Sequence, residues 1–263
     1  EVLEGDLREQ AACARAVESV DYVLHQAALG SVPRSVQDPR TTHEVNATGT
    51  LNMLLAARSA NVRRFVFASS SSVYGNTPTL PKEETMPSHP ISPYAVSKLA
   101  AERYLLSFNF IYGMETVALR YFNVFGPKQD PDSQYAAVIP RFIMALASGK
   151  APVIYGDGEQ SRDFTFVENV VQANLRACVA PEAPGNVMNI ACGERYSLNL
   201  LVKCLYEIMG KHVPAIYEPE RSGDVKHSMA AIERARQLLS FSPQVKFQEG
   251  LLKTVAWYLA EKA

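Results

Sequence analysis

Residues 63–72, with the sequence RRFVFASSSS, are the stretch from which the fold is read. Four apolar residues form a short run of the length and type that predicts a buried strand, and a run of serines follows them. Further buried strands are predicted at 21–28 and 116–121, and long helices at 41–60 and 94–112. Strands that alternate with helices at this spacing predict parallel βαβ units in a Rossmann-like, doubly wound α/β sheet.

The composition is that of an ordinary globular protein. The chain has 263 residues, of which 47% are hydrophobic and 20% charged, and its net charge is −1. We therefore expect no general attraction to nucleic acid or to a membrane surface. The apolar runs are far too short to span a bilayer, and no export signal opens the sequence. The four cysteines lack C-x-x-C spacing, so we expect free thiols, a cytoplasmic location and no metal site.

A tyrosine and a lysine lie at the start of the helix predicted at 94–112. Ser92 and Pro93 occupy its first positions, and Lys98 lies one turn after Tyr94 on the same face. A phenol with a pKa of about 10 is a poor base at neutral pH, and a nearby ammonium group lowers that pKa. An isolated Tyr-x-x-x-Lys pair is equally typical of an ordinary surface. The serine run at 69–72 favours a site, because ligands bind at the carboxyl ends of such strands.

These residues resemble the extended short-chain dehydrogenase/reductase family, and within it the nucleotide-sugar 4-epimerases. The matching motifs are Val73-Tyr74-Gly75 after the serines, Tyr94 with Lys98, Arg120-Tyr121-Phe122-Asn123, and Gly156-Asp157-Gly158 followed by Arg162-Asp163-Phe164. The resemblance implies NAD as the cofactor and a UDP-sugar as the substrate. It implies a catalytic set of Ser70, Tyr94, Lys98 and the structural Asn46, and cofactor contacts from Asp6, Leu7, Gln26, Ala27, Ala28, Ser69, Tyr94, Lys98 and Tyr121.

The same resemblance implies the residues that bind the substrate. They are Ser31, Ser71, Asn123, Ala137, Val138, Tyr155, Arg162, Arg221, Asp224 and Ser228. The two arginines suit a diphosphate, because guanidinium groups pair bidentately with phosphate oxygens. Ser72 stands where the related 4,6-dehydratases carry an acidic residue, which favours epimerisation over dehydration. Ser228 stands at the family's size gate, where a small side chain leaves room for an N-acetyl group.

The sequence therefore predicts NAD-dependent 4-epimerisation of a UDP-N-acetylhexosamine (UDP-GlcNAc/UDP-GalNAc) through a 4-keto intermediate. A UDP-glucose or UDP-glucuronate 4-epimerase, and an inactive nucleotide-sugar-binding fragment, stay open as alternatives. The resemblance also implies a role in polysaccharide biosynthesis and a homodimer formed by the helices at 41–60 and 93–112.

The expected domain division follows the change in pattern near residue 125. Residues 1–124, with a return segment near 160–191, are expected to form a dinucleotide-binding domain. Residues 125–159 and 192–263 are expected to form a smaller mixed α/β domain that binds the UDP-sugar.

The family's glycine-rich first βαβ unit has no counterpart in this sequence. We read the first residues as the tail of a strand, and we expect the 21–28 strand to lie at an edge of the sheet. We also expect the isolated chain to expose apolar surface and to bind a dinucleotide poorly in calorimetry.

Overall fold

The computed structural model describes residues 1–130, 137–220 and 226–261. The strands of these residues are Tyr22–His25 (β1), Arg64–Ser70 (β2), Thr116–Tyr121 (β3), Val124–Phe125 (β4), Val153–Tyr155 (β5), Ser161–Arg162 (β6), Thr165–Phe166 (β7), Asn186–Ile190 (β8), Tyr196–Ser197 (β9) and Ile216–Glu218 (β10). The helices are Gln10–Ala16 (α1), Val32–Gln37 (α2), Pro39–His43 (α3), Gly49–Ser59 (α4), Pro93–Tyr112 (α5), Val138–Ala147 (α6), Val167–Val179 (α7), Leu198–Met209 (α8), Glu233–Leu239 (α9) and Phe247–Ala260 (α10).

The main sheet has the order β1-β2-β3-β8, and every neighbouring pair is parallel. Alternate residues of β2 pack on opposite faces, since Phe65 and Phe67 join the cluster formed with α4 and α5 while Val66 joins the cluster with α7. Burial on both faces explains the continuous apolar run in the sequence, because a strand covered on both sides has no polar face. The predicted Rossmann-like, doubly wound α/β fold is confirmed.

The strand at the edge of the sheet agrees with the prediction, whereas residues 1–6 differ from it. In the described part of the chain β1 pairs with β2 alone, so the prediction of an edge strand is confirmed. Residues 1–6 form no strand, and the prediction of a strand tail there is wrong. A strand is stabilised by a hydrogen-bonded neighbour, and these residues pair with none in the described structure. Leu24 on β1 is 43% exposed and Val2 is 96% exposed, so apolar side chains lie open beside this edge.

The helix predicted at 41–60 begins earlier and is interrupted. Asp38 caps α3 by accepting a hydrogen bond from the backbone N–H of Thr41 at 3.0 Å, and Pro39 follows at the first helical position. A π-helical turn at Glu44–Thr48 then separates α3 from α4. Such turns are rare and concentrate at functional sites. This one contains Asn46.

A second core lies around the later elements. Aromatic side chains of Phe125, Phe142, Phe164 and Phe247 pack there with the buried faces of α6, α8 and α10. This core supports the short two-stranded sheets that carry the later motifs. We keep the division into a dinucleotide-binding and a UDP-sugar-binding domain as a proposal. None of the described helices combines the length and the apolar character that a bilayer crossing requires.

Candidate active site

The catalytic helix and the end of β2 meet at the carboxyl rim of the sheet. Ser92 caps α5 by accepting a hydrogen bond from the backbone N–H of Ala95 at 3.2 Å, which fixes where Tyr94 begins the first turn. Ser70 ends β2 beside Tyr94, and its hydroxyl acts to lower the pKa of that phenol. One turn along α5, Lys98 Nζ donates to the carbonyl oxygen of Ala68 at 2.7 Å. The structure therefore brings the predicted serine, tyrosine and lysine together.

The electrostatics of the Tyr94–Lys98 pair differ from the prediction. Burial raises the pKa of Tyr94, and the hydrogen bond from the Ser70 hydroxyl opposes that rise. Burial also lowers the pKa of Lys98 to about 8, because a buried ammonium loses its hydration. The expected net lowering of the Tyr94 pKa is wrong for this structure, since burial penalises the charged form of both partners. Phenolate formation here depends on Ser70 and on charge that a ligand brings.

Asn46 holds the catalytic helix in place. Its Oδ1 accepts from the backbone N–H of Leu29 at 2.8 Å, and its Nδ2 donates to Ser97 Oγ at 3.0 Å. Ser97 Oγ in turn donates to the carbonyl oxygen of Tyr94 at 2.8 Å. The π-helical turn places this amide between the loop after β1 and helix α5. Asn46 thus joins the loop after β1 to the first turn of α5.

A closed ring of hydrogen bonds joins two predicted cofactor residues to one that the sequence analysis missed. Tyr121 Oη donates to Gln26 Oε1 at 3.1 Å, Gln26 Nε2 donates to Asn174 Oδ1 at 3.0 Å, and Asn174 Nδ2 donates to Tyr121 Oη at 2.7 Å. Asn174 is buried on α7 between Val170 and Ala177. The sequence signal that could have identified Asn174 is a polar residue on the apolar face of a predicted helix.

A cavity of about 290 Å³ lies beside the end of β1. Asp6, Leu7, Gln26 and Ala27 are among the residues that line it, and Ala28 follows directly. Hydrogen bonds from Arg8 lower the pKa of Asp6 to about 2, so its carboxylate is an acceptor at neutral pH.

Asp6 at this cavity and Lys98, which lies outside the cavity lining beside β2, are polar groups that fit NAD. An ammonium has three N–H donors, and in the described residues Lys98 gives one to Ala68, which leaves donors for ribose hydroxyls. The small side chains of Ala27 and Ala28 let a ligand approach the backbone. Ser69 was expected to contact the cofactor, but its hydroxyl donates to Glu102 in the interior at 2.8 Å.

A second cavity, of about 240 Å³, lies among the elements that follow β3. Its lining includes five predicted substrate residues, namely Asn123, Ala137, Val138, Tyr155 and Arg162. Arg162 Nη1 donates to the backbone carbonyl oxygens of Ser161 and Lys226 at 3.0 and 3.1 Å. These bonds fix the guanidinium group at the cavity wall. The predicted uridine and diphosphate residues therefore share one cavity.

The remaining predicted substrate residues lie elsewhere. Ser31 caps α2 by accepting from the backbone N–H of Arg34 at 3.1 Å, and Ser71 begins a short 3-10 turn. The backbone N–H of Ser228 donates to the carbonyl oxygen of Ser161 at 3.0 Å, directly before Arg162. Neither Ser31, Ser71 nor Ser228 lines the second cavity. Arg221 and Asp224 lie outside the described residues.

Asp163 joins the segments that carry the substrate residues. Its carboxylate accepts from the backbone N–H groups of Cys192, Gly193 and Ala230 at 2.9, 3.1 and 3.2 Å. Burial raises the pKa of Asp163 to about 6 against these three bonds. Asn123 Nδ2 donates to the backbone carbonyl oxygen of Asp163 at 3.3 Å. The sequence analysis placed Asp163 in a motif but gave it no function.

The fold, the Ser70–Tyr94–Lys98 cluster and the known relatives define an NAD-dependent enzyme of the isomerase class. The chain belongs to the NAD dependent epimerase/dehydratase family, whose model matches residues 1–191.

Three relatives illustrate the similarity. A solved structure of UDP-N-acetylglucosamine 4-epimerase from Methanobrevibacter ruminantium, in complex with UDP-N-acetylmuramic acid, is 42% identical with a TM-score of 0.94, and the match covers 98% of this chain and 82% of that one. A putative UDP-glucose 4-epimerase of Methanocaldococcus jannaschii is 37% identical over 91% of this chain and 77% of its own length. A UDP-glucuronate 4-epimerase of Thermodesulfobacterium geofontis is 34% identical over 91% and 72%.

Proposed function

We propose that this chain is a UDP-N-acetylhexosamine 4-epimerase. The coarser class, an NAD-dependent UDP-sugar 4-epimerase, follows from the family and its relatives. The observation that carries the proposal is the meeting of Ser70, Tyr94 and Lys98 at the sheet rim, with the separate cavity that Arg162 and Asn123 line. Small Ser228 favours the N-acetylated substrate over the others.

Each catalytic side chain has a distinct task in this reaction. NAD supplies reversible hydride acceptance at C4 of the sugar when it is bound. Tyr94 takes the proton of the 4-hydroxyl and later returns it, which is general base and general acid catalysis by one group. Ser70 donates a hydrogen bond that favours the phenolate of Tyr94. Lys98 adds a fixed positive charge and binds ribose hydroxyls with its free donors.

Epimerisation also requires that the sugar turns within the site. The 4-keto sugar must present its other face while the nucleotide stays bound. The cavity lined by Ala137, Val138 and Tyr155 holds the uridine in this proposal, and Arg162 holds the diphosphate. The anchor and the reacting centre thus lie on different elements, so the sugar can rotate between them.

A substrate panel tests the function. The purified protein with added NAD is offered UDP-GlcNAc, UDP-glucose and UDP-glucuronate, and the 4-epimers are separated by chromatography. We expect the highest kcat/KM with UDP-GlcNAc. Preference for either of the other two sugars identifies the corresponding alternative named for the relatives. UDP binding without turnover of any sugar identifies an inactive nucleotide-sugar-binding fragment.

A matched variant tests the size gate. Ser228→Tyr is expected to lower kcat/KM for UDP-GlcNAc by at least about 10-fold, because a ring fills the space left for the N-acetyl group. Ser228→Ala is the control, since it keeps the side chain small. Turnover of UDP-glucose should survive both changes. Equal losses with both sugars in Ser228→Tyr would place the residue away from the C2 substituent.

We also propose that a second copy of the chain covers the outer faces of α4 and α5. Leu55 on α4 is 42% exposed, and Val96 and Tyr104 on α5 are 47% and 41% exposed. Large apolar side chains grouped on two adjacent helices are typical of an interface between copies. Light scattering should give twice the mass of the chain, and Tyr104→Glu should give the monomer. A monomeric wild type would exclude this interface.

A further inference from the structure

Three residues spaced four apart on α5 contact three consecutive residues at the end of β2. Tyr94 lies beside Ser70, whose hydroxyl acts to lower the pKa of Tyr94, and Lys98 donates to the carbonyl oxygen of Ala68. The third helix residue, Glu102, accepts from Ser69 Oγ at 2.8 Å. Residues at this spacing lie on one face of a helix, so the contacts form one continuous seam. The first two belong to the reaction, and the third has been given no function.

Glu102 is also held from the next strand. Arg120 on β3 pairs with Ser69 in the sheet register, and it donates to Glu102 through Nε at 3.0 Å and Nη2 at 2.6 Å. The side chains are 0% and 3% exposed, so the ion pair is bidentate and buried. The Arg120 guanidinium lies 4.6 Å from the centre of the Tyr74 ring. Glu102 thus receives hydrogen bonds from both strands on which the helix rests.

The location of this pair argues for more than stability. A buried ion pair is weak evidence for stability, because removing two charges from water costs as much as their attraction returns. Its geometric effect is direct, however. Glu102 fixes the hydroxyl of Ser69, whose neighbour Ser70 contacts Tyr94, and Glu102 itself lies two turns from Tyr94 on the same helix.

We propose that Glu102 is a positioning residue that sets the distance between Ser70 and Tyr94. It acts through Ser69 on the strand side and through the α5 backbone on the helix side. Arg120 orients the Glu102 carboxylate by donating to both of its oxygens. This inference rests on the proposed function for its kinetic readout, and it has a structural readout that does not depend on the reaction.

The chain offers a control ion pair away from the site, in which Glu115 is 43% exposed whereas Glu102 is buried. Arg64 begins β2 at the opposite end of the sheet, and its Nε donates to Glu115 Oε2 at 2.7 Å with the guanidinium 5% exposed. Glu102→Gln and Glu115→Gln therefore each remove one charge from an arginine pair, at the catalytic end and at the distant end. Thermal unfolding and UDP binding of both variants establish that they fold. The double variant Glu102→Leu with Arg120→Met removes both charges together and avoids a buried unpaired arginine.

We expect Glu102→Gln to lower kcat by about 10²-fold, the loss that a misplacement of about 1 Å produces. KM for the UDP-sugar should stay within about twofold, because the nucleotide cavity is untouched. Glu115→Gln should keep kcat within about twofold. The folded double variant should regain stability but not kcat. A merely structural role would instead restore kcat with stability, and that result would overturn the proposal.

Crystal structures of the two single variants give the second readout. The distance between Ser70 Oγ and Tyr94 Oη should lengthen by about 1 Å in Glu102→Gln and stay at the wild-type value in Glu115→Gln. If the wild type turns over no UDP-sugar, the proposed function fails while this comparison still decides the role of Glu102. An unchanged distance between Ser70 Oγ and Tyr94 Oη in Glu102→Gln refutes the positioning role.

Discussion

Asp163 gives the wild-type protein a pH dependence of stability that Asp163→Asn should lack. Burial raises the pKa of this carboxyl group from its ordinary 3.8 to about 6, against hydrogen bonds from the backbone N–H groups of Cys192, Ala230 and Gly193. The folded state therefore binds the proton more tightly than the unfolded state does. The stabilisation is fully present below pH 3.8 and is lost as the pH rises through about 6. The difference corresponds to about 3 kcal/mol of unfolding free energy.

Urea unfolding of both proteins at several pH values between 4 and 7 measures this effect. Other carboxyl groups also titrate in this range, so the informative quantity is the difference in unfolding free energy between wild type and Asp163→Asn at each pH. Between pH 4 and 7 that difference should change by about 2 kcal/mol, out of a full change of about 3 kcal/mol, in the direction that makes the wild type relatively less stable at pH 7. The side-chain amide of Asp163→Asn cannot ionise, so this variant is the reference for the wild type.

The opposite sign would refute the reasoning. If the three backbone donors outweighed burial, the carboxylate would be favoured in the folded state and the wild type would gain relative stability as the pH rises. A constant difference would mean that Asp163 titrates alike in both states. An offset that favours the wild type at every pH is expected in addition, because an amide nitrogen facing backbone N–H groups leaves a donor unpaired at a cost of about 1–3 kcal/mol.

Three further substitutions test the site and the core. Tyr94→Phe should lower kcat by about 10²–10⁴-fold or more, the contribution of a general base, and leave UDP binding by calorimetry intact; unchanged turnover would exclude Tyr94 as the base. Gly75→Ala should lower the free energy of unfolding in urea by at least about 1–3 kcal/mol. The φ of Gly75 is +63°, and a Cβ atom there would lie 1.9 Å from the His89 carbonyl oxygen. Leu54→Ala, at a position 0% exposed, should cost about 2–5 kcal/mol, whereas the control Leu252→Ala, at 55% exposed, should cost less than about 1.

Burial of Tyr94 and Lys98 disfavours the charged forms that the proposed reaction needs when no cofactor is bound. Burial keeps Tyr94 as a phenol and lowers the pKa of Lys98 to about 8, so the site is poorly suited to charge separation by itself. A positively charged ligand ring next to this cluster would favour the phenolate. In the proposed reaction, activation of Tyr94 is thereby coupled to cofactor binding.

Local pattern carried the prediction of the fold. The apolar run before Ser69 and the capped start of α5 at Ser92 depend on residues within one turn or one strand. Adjacent residues are therefore sufficient to predict both. The start of α3 and the π-helical turn were not foreseen, because Asp38 competes as a cap and Asn46 satisfies groups on Leu29 and Ser97. The first residues form no strand, because pairing needs a neighbour that spacing alone does not provide.

The sequence by itself determined the βαβ order, the Tyr94–Lys98 spacing and, through family resemblance, the identity of most site residues. The tertiary structure alone decided what surrounds them. It joined Glu102 to Ser69 and Arg120, closed the ring at Asn174, and buried Asp163 against three backbone donors. It also set the direction of the Tyr94 pKa. The physical reason is that burial and hydrogen bonds between distant segments depend on how the elements pack, and residue spacing carries no record of that packing.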